Sequence, residues 1–272
     1  MSGNATITTG SAGRQAEMWS EHARDWAEVM EGWNGWAIPV YRHVLERVDV
    51  GLDTTLLDVG CGAGRFLRMA ADRGARCAGL DATEAFVEIA RQRVRSGDVR
   101  VGDMEALPWP DESFDVVTGF NSFFIAADMT AALREARRAL RVGGSFAMTV
   151  FGRPDHCDST EVFAAAAALM PDAGGRNAGP GLHDEGVLED AVAEAGMRPR
   201  EAGYFAYVEE YPDLETVLRG MMAAPPFVRV ARAVGEATVR AAVSQALAPR
   251  TAPDGGYQLA EEIRYLIATR ER

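Results

Sequence analysis

The stretch LLDVGCGAG, residues 56–64, decides the fold of this chain. Its first four residues and the preceding Thr55 form a short, largely apolar run from Thr55 to Val59. Such a run is typical of a strand buried on both faces of a sheet. The glycines that follow let the backbone approach a ligand without an intervening Cβ. Residues 65–73 have the pattern of a helix, and the start of a helix offers unpaired backbone N–H groups. The stretch therefore predicts a strand, a ligand-binding glycine loop and a helix.

Strand and helix patterns alternate from about residue 55 to residue 150. Four more strands are predicted, at residues 75–80, 99–102, 113–119 and 145–151. Helices are predicted between them, the last at residues 128–141, ending at Gly143-Gly144. Strands joined by helical crossovers form parallel sheets. The predicted fold class is α/β, a doubly wound and mostly parallel sheet with helical cap or lid elements.

The remaining segments predict additions to this core rather than independent domains. Residues 1–16 read as a disordered leader, and residues 16–47 as a helical region with Trp19, Trp26, Trp33 and Trp36. Beyond the core we expect a helix at 184–195, a strand at 198–209, helices at 214–222 and 227–247, and a terminal strand at 263–268. We expect one structural domain: leader and cap helices at 1–50, a ligand-binding core at 51–151, and the rest of the sheet with inserted lid helices at 152–272.

Composition excludes several function classes. The formal net charge is −12, and all 28 basic residues are arginine, which disfavours nucleic acid and anionic membrane surfaces as partners. The three cysteines have no metal-type spacing, so we predict reduced thiols and no metal site. No membrane-spanning or secretory segment is visible, and we expect a cytoplasmic protein.

The glycine loop differs from a dinucleotide site in two ways. Its spacing is G-x-G-x-G rather than G-x-G-x-x-G, and Asp58 ends the preceding strand. A carboxylate there would repel a pyrophosphate and attract a cationic ligand. A nicotinamide-dependent oxidoreductase therefore stays as a disfavoured alternative.

Two further acidic residues follow the next strands. Asp81 ends the second predicted strand, about 20 residues past the first glycine, where an acidic residue can accept hydrogen bonds from ribose hydroxyls. Asp103 and Met104 follow the third, and this pair suits an adenine, with the carboxylate accepting from the amino group and the thioether packing on the ring. The three carboxylates are expected along one edge of the sheet.

The order and spacing of five motifs resemble the class I S-adenosylmethionine-dependent methyltransferases, most of all the ubiquinone and menaquinone biosynthesis branch. The motifs are LDVGCGAG (57–64), GLD (79–81), GDMEALP (102–108), SFDVV (113–117) and EARRALRVGG (135–144). The resemblance covers about residues 54–151. It implies a seven-stranded sheet with the last strand antiparallel between its neighbours, and S-adenosyl-L-methionine as cofactor.

The resemblance also implies residue roles at the methionine end of the cofactor. Gly60, Gly62 and Gly64 would form the loop under the methionine moiety, and Asp58 would lie near its amino group. Asn121, just after the fourth strand, would lie near the same end.

At the nucleoside end, the resemblance implies that Asp81 holds the ribose and that the backbone of Ala82 approaches the adenine. Asp103 and Met104 would bind the base. An aromatic N-terminal helix often closes over the donor in this branch, and Trp26, with Trp19 and His22 beside it, is placed to do so.

The predicted activity is in-line methyl transfer to a small, partly apolar or aromatic metabolite, for which holding the reactants in line is the main requirement. His156 and His183 are candidates for a general base, but no catalytic residue is assigned. An S-adenosylmethionine-binding protein that uses the cofactor structurally or in a non-methylating reaction remains an alternative. We expect a monomer or homodimer.

Overall fold

The computed structural model describes residues 12–32, 38–170 and 181–272, and its core is one seven-stranded sheet. The strand order is β3-β2-β1-β4-β5-β7-β6. The strands are β1 Thr55–Val59, β2 Arg76–Asp81, β3 Asp98–Val101, β4 Phe114–Phe120, β5 Leu140–Phe151, β6 Arg198–Tyr211 and β7 Tyr257–Thr269.

Strand directions confirm the predicted fold class. The pairs β1–β2, β2–β3, β1–β4 and β4–β5 are parallel, while β7 lies antiparallel between β5 and β6. In the parallel strands the carboxyl ends meet at one edge, which is where open α/β sheets bind ligands. Asp58, Asp81 and Asp103 all lie in or just after the last residues of strands at this edge, as the sequence predicted.

The helices cover both faces of the sheet and its carboxyl edge. They are α1 Ala12–Ser20, α2 Ala23–Asp25, α3 Ile38–Arg47, α4 Arg65–Ala71, α5 Glu84–Arg93, α6 Met129–Ala139, α7 Ser159–Ala167, α8 Val187–Glu194, α9 Leu214–Met222, α10 Pro225–Val234 and α11 Glu236–Leu247. A π-helical turn, Trp26–Met30, continues α2, and 3-10 turns occupy Phe123–Ile125, Pro154–His156 and Ala248–Arg250.

A separate apolar cluster joins the inserted helices into a lid. Val217, Phe227, Val239 and Val243 of α9, α10 and α11 are buried together, and Val162 of α7 belongs to the same cluster. This lid covers the carboxyl edge beyond β5, so the ligand site lies under a second, smaller hydrophobic core.

Three sequence predictions of element boundaries are wrong. The helix predicted at 227–247 is two helices, because Gly235 between them has φ +90° and ends α10. Gly143 and Gly144 do not end helix α6, since β5 already begins at Leu140 and runs through both glycines. The continuous helical region at 16–47 is instead α1, α2 with its π-helical turn, and α3.

Part of the predicted disordered leader is helical, and residues 1–11 lie outside the described residues. Helix α1 begins at Ala12, which is buried, so residues 12–16 are not part of a disordered leader. Trp33 and Trp36 lie outside the described residues. Among the residues that the structure describes, no helix is both long and apolar enough to cross a bilayer.

Candidate functional site

A cavity of about 470 Å³ runs along the carboxyl edge of the sheet, between the core, the N-terminal helices and the lid. This volume lies in the range of small-molecule and cofactor sites. Nine of the ten predicted site residues line it: Asp58, Gly60, Gly62, Asp81, Ala82, Asp103, Met104, Asn121 and Trp26. Gly64 is the exception.

The glycine loop turns sharply at the end of β1. Gly60 and Gly62 have φ of +73° and +52°, and the backbone N–H of Gly60 donates to the carbonyl of Leu80 over 2.7 Å. Gly64 has φ +81° and immediately precedes α4, but a Cβ there would come within 2.8 Å of the Cβ of Ala90. Gly64 therefore allows α4 to pack against α5 instead of contacting a ligand.

Asp81 fixes the loop that carries it. Its Oδ2 accepts from the N–H of Gly62 over 2.9 Å, and its Oδ1 accepts from the N–H of Thr83 over 2.8 Å. Each carboxylate oxygen has a second lone pair, so both can still accept from ligand hydroxyls. Burial raises the pKa of this carboxyl above its ordinary value.

Asp58 lies deeper, with 2% of its surface exposed. Its Oδ1 accepts from the hydroxyl of Thr118 over 2.7 Å. Burial is the main cause that raises the pKa of Asp58 to about 7, and the charges of Glu31 and Asp81 add to it. A bound cation would stabilise the ionised carboxylate.

Asp103 and Met104, after β3, and Asn121, after β4, also line the cavity. The Oδ1 of Asp103 accepts from the N–H of Glu105 over 2.9 Å, which orients the carboxylate. Asn121 has a left-handed φ of +49°, and its Oδ1 accepts from the hydroxyl of Thr149 over 3.3 Å. The buried Nδ2 of Asn121 has no hydrogen-bond partner. Strained backbone with an unsatisfied donor is typical of a ligand site.

The N-terminal segment closes one side of the cavity. Trp26 lies in the π-helical turn, and its ring meets that of Trp19 edge-on with centroids 4.7 Å apart. Trp19 in turn packs against Phe86 of α5 over 5.7 Å. The half-buried Trp26 thus joins the cap to the core while it lines the cavity.

Glu31 is a site residue that sequence reasoning missed. Its Oε1 and Oε2 accept from the N–H groups of Ala63 and Arg65 over 2.8 and 3.2 Å, and Oε2 pairs with Arg93 over 3.0 Å. A Cβ on Gly62 would come within 2.4 Å of Oε1, so a side chain at this position would displace the carboxylate of Glu31. Burial raises the pKa of Glu31, while Arg93 lowers it.

The far end of the cavity is apolar, with a group of acidic and phenolic side chains. The apolar lining includes Phe124, Ile125, Phe151, Phe163, Met221 and Phe227. Tyr207 and Glu209 of β6 and Glu261 of β7 also line it. These three were missed as well, although Tyr207 and Glu209 alternate on the strand predicted at 198–209, which places their polar groups on one face.

Neither histidine considered as a base lines this cavity. His156 is exposed, 3.6 Å from Glu262, and borders a second, acidic pocket that shares Tyr207, Glu261 and Glu262 with the cavity. His183 lies before α8, where its carbonyl accepts from the hydroxyl of Tyr204 over 2.7 Å. Cys61 is buried, and the pKa of its thiol is well above the ordinary value, so it is a packing residue.

The side chains around the glycine-loop end of the cavity fit S-adenosylmethionine. Asp58 and Glu31 place negative charge beside the loop where the ligand's ammonium and sulfonium would lie. Asp81 has free lone pairs for a ribose, and Met104 offers a flat apolar surface for a base. Asn121 has an unused donor. A pyrophosphate would meet three carboxylates instead of cations.

Comparison with known proteins agrees with this geometry. A family model described as a methyltransferase domain matches residues 57–148. The chain is 41% identical over 91 residues to malonyl-[acyl-carrier protein] O-methyltransferase of Serratia marcescens, covering 33% of this chain and 35% of that protein. It is 30% identical over 195 residues to the protein of the same name in Dechloromonas aromatica, covering 69% of this chain and 70% of that protein.

The match spans only about a third of the length of the Serratia marcescens relative. Among solved structures, geranyl diphosphate C-methyltransferase from Streptomyces coelicolor superposes with a TM-score of 0.59 at 17% identity, covering 97% of this chain and 99% of that one. At that identity the likeness concerns the fold.

Proposed function

The chain belongs to the class I S-adenosylmethionine-dependent methyltransferases, and we propose that it transfers the methyl group of this cofactor to a small, partly apolar or aromatic acceptor. The observation that carries the proposal is the single cavity that joins the carboxylate-lined glycine loop to an apolar chamber under the lid. A cofactor at the loop and an acceptor in the chamber would meet inside one cavity.

The methyl group on a sulfonium is already activated, so the protein's task is to hold two reactants in line. Alignment of this kind lowers the barrier by roughly 7–11 kcal/mol. In our proposal Asp81 holds the ribose and Asp58 the ammonium, with the base lying beside Asp103 and Met104. The lid and the N-terminal cap exclude water from the acceptor.

Similarity to the relatives does not assign their substrate to this chain. The glycine loop and the strands around it account for much of the similarity, whereas the chamber is built largely from the lid and from the ends of β6 and β7. The fold and the cofactor therefore follow from the family, and the acceptor must be argued from the chamber itself.

Two measurements test the proposal. Titration calorimetry should show that the protein binds S-adenosylhomocysteine and does not bind NAD(H). Incubation with methyl-labelled S-adenosylmethionine and an extract of small metabolites should give a labelled small-molecule product. Cofactor binding without labelled product from any extract would favour the non-methylating alternative, and NAD(H) binding without S-adenosylhomocysteine binding would overturn the proposal.

A further inference from the structure

Glu209 and Glu261 form a carboxyl pair in the wall of the apolar chamber. Tyr207 of β6 lies opposite Glu261 of β7 in the antiparallel register, and Glu209 is two residues farther along the same face of β6. Both carboxyls are buried, with 8% and 6% of their surface exposed, and both line the cavity. They are close enough for the charge of Glu261 to raise the pKa of Glu209.

The two carboxyls have different surroundings. Both oxygens of Glu261 accept from Ser159 at the start of α7, Oε1 from the N–H over 2.7 Å and Oε2 from the hydroxyl over 2.8 Å. Oε2 of Glu209 accepts from the hydroxyl of Tyr211 over 2.6 Å. Burial raises the pKa of Glu209 to about 8 and that of Glu261 to about 7. Carboxyls in a cavity wall whose pKa values are raised toward neutral pH are typical of acid–base sites.

A chain of contacts connects Glu209 to the glycine loop. The hydroxyl of Tyr211 that donates to Glu209 also lies 3.7 Å from the sulfur of Met30. The next residue, Glu31, accepts from the backbone of the glycine loop. These contacts join the part of the chamber wall that carries Glu209 to the segment that holds the glycine loop.

We propose that the acceptor attacks through a hydroxyl group carried on an apolar body, and that Glu209 is the catalytic base that takes the hydroxyl proton. The inference rests on the proposed function. As the acceptor oxygen bonds to the methyl carbon, the carbon–sulfur bond breaks and leaves its electron pair on sulfur. The proton passes to the carboxylate of Glu209, giving a methyl ether, neutral S-adenosylhomocysteine and a neutral carboxylic acid.

The carboxyl pair disfavours the other common acceptors. A carboxylate or phosphate acceptor needs no base, and the charge of Glu261 would repel it in an apolar chamber. An amine would be held there as an ammonium ion, because neighbouring carboxylates raise the pKa of a cation and leave its lone pair protonated. A hydroxyl is neutral, donates a hydrogen bond, and becomes nucleophilic when its proton is removed.

Several ionisable groups affect the pH dependence of Glu209. Tyr207 and Tyr211 of β6 lower its pKa by hydrogen bonding, and Glu261 of β7 raises it. Asp158, before α7, acts on Glu261, and Arg229 of α10 lines the same cavity. The pair titrates jointly, so measured values belong to the pair. Since the base must be ionised, kcat/KM should rise with pH up to about 8.

The first experiment compares head groups on one apolar body. Binding of 4-propylphenol, 4-propylbenzylamine and 4-propylbenzoate to the complex with S-adenosylhomocysteine is measured by calorimetry at pH 7.5. The phenol should bind at least tenfold more tightly than the benzoate, and only the phenol should be methylated appreciably from labelled S-adenosylmethionine. Equal or tighter binding of the benzoate, preferential methylation of the benzylamine, or no binding of the three would overturn the inference.

The second experiment uses Glu209→Gln with Glu210→Gln as its matched control. Glu210 is exposed, and its side chain accepts from Gln258 over 3.2 Å, outside the cavity. Removal of a general base should lower kcat for the phenol about 100-fold and abolish the rise of rate with pH. The affinity for S-adenosylhomocysteine should stay within about threefold of wild type, and Glu210→Gln should match wild type.

A third variant tests the base assignment while the carboxyl of Glu209 stays in place. Tyr211→Phe removes a hydrogen bond that lowers the pKa of Glu209, so the pH–rate profile should move to higher pH. An unchanged profile, or a phenol that binds but is not methylated by wild type, would overturn the base assignment. Failure of wild type to bind S-adenosylhomocysteine would instead contradict the proposed function.

Discussion

Oε1 of Glu31 accepts a hydrogen bond from the backbone N–H of Ala63 over 2.8 Å, although the two residues are 32 positions apart. Gly64, which precedes α4, has no side chain to cap that helix, so the carboxylate of Glu31 satisfies N–H groups at its start. Arg93 balances the charge from α5. One side chain thereby ties the N-terminal cap to the cofactor loop.

Replacing Glu31 should destabilise the protein. Glu31→Ala leaves the N–H of Ala63 and the guanidinium of Arg93 without their partner, and breaking a buried ion pair of this kind costs about 3 kcal/mol. Urea denaturation measures the loss in the free energy of unfolding. Glu28→Ala is the control, because Glu28 is exposed and pairs with Arg219 on the surface, where such pairs contribute less than about 1 kcal/mol. Equal effects of the two substitutions would show that Glu31 does not hold the cap.

Asp81→Asn should weaken cofactor binding far more than it weakens the fold. The amide still offers one oxygen to the loop, but it loses the charge and one acceptor for the ribose. Hydrogen bonds to a charged group contribute about 1.5–3 kcal/mol each, so the affinity for S-adenosylhomocysteine should fall about 100-fold or more by calorimetry. Asp72→Asn, on the exposed end of α4, should leave it unchanged. An affinity for Asp81→Asn within threefold of wild type would contradict the ribose assignment.

Cofactor binding should release a proton near neutral pH. Asp58 has a pKa of about 7 in the free protein, and a nearby ammonium favours its ionised form. Affinity for S-adenosylmethionine should therefore rise as pH increases from 6 to 7 and level off above about 7.5. Calorimetry at pH 6.5 in two buffers of different ionisation enthalpy measures the protons released. Asp58→Asn should release fewer protons, and no difference between the buffers for wild type would show that Asp58 does not face the ammonium.

The sheet was predictable because its signals are local. Short apolar runs such as Thr55–Val59 alternate with helical patterns, which predicts parallel strands joined by helices, and the resemblance supplied the antiparallel place of the last strand. The division of the helix predicted at 227–247 was harder to predict, because Gly235 is a single residue within a continuous helical pattern. The π-helical turn at Trp26–Met30 has no sequence signature of its own and depends on packing against Phe86 and the lid.

The placement of Asp58, Asp81 and Asp103 in the cavity was predictable for the same reason, since each lies at or just after the end of a strand. The apolar end of the cavity was not predictable, because it depends on contacts between distant segments. Glu209 meets Glu261 only through the pairing of β6 with β7, across three inserted helices. Glu31 reaches Ala63 because the N-terminal helices α1 and α2 pack against α5. Gly64 shows the converse, since its motif position suggested a ligand contact and the structure assigns it to helix packing.

Stability should fall as pH rises from 5.5 to 8. Burial raises the pKa values of Asp58, Glu209 and Glu261 to about 7, 8 and 7. The folded protein therefore holds protons that the unfolded chain releases above pH 4–4.5, so this stabilisation is complete below those unfolded values and is lost as pH rises through the folded ones. Urea unfolding at pH 5.5, 7 and 8 measures the trend. Glu209→Gln, which has no proton to lose, should fall less steeply with pH than wild type, while Glu210→Gln should follow wild type. A free energy of unfolding that is constant or rises over this range would mean that these carboxyls are ionised and hydrated in the folded protein, and the chamber would then be too polar to select an apolar acceptor.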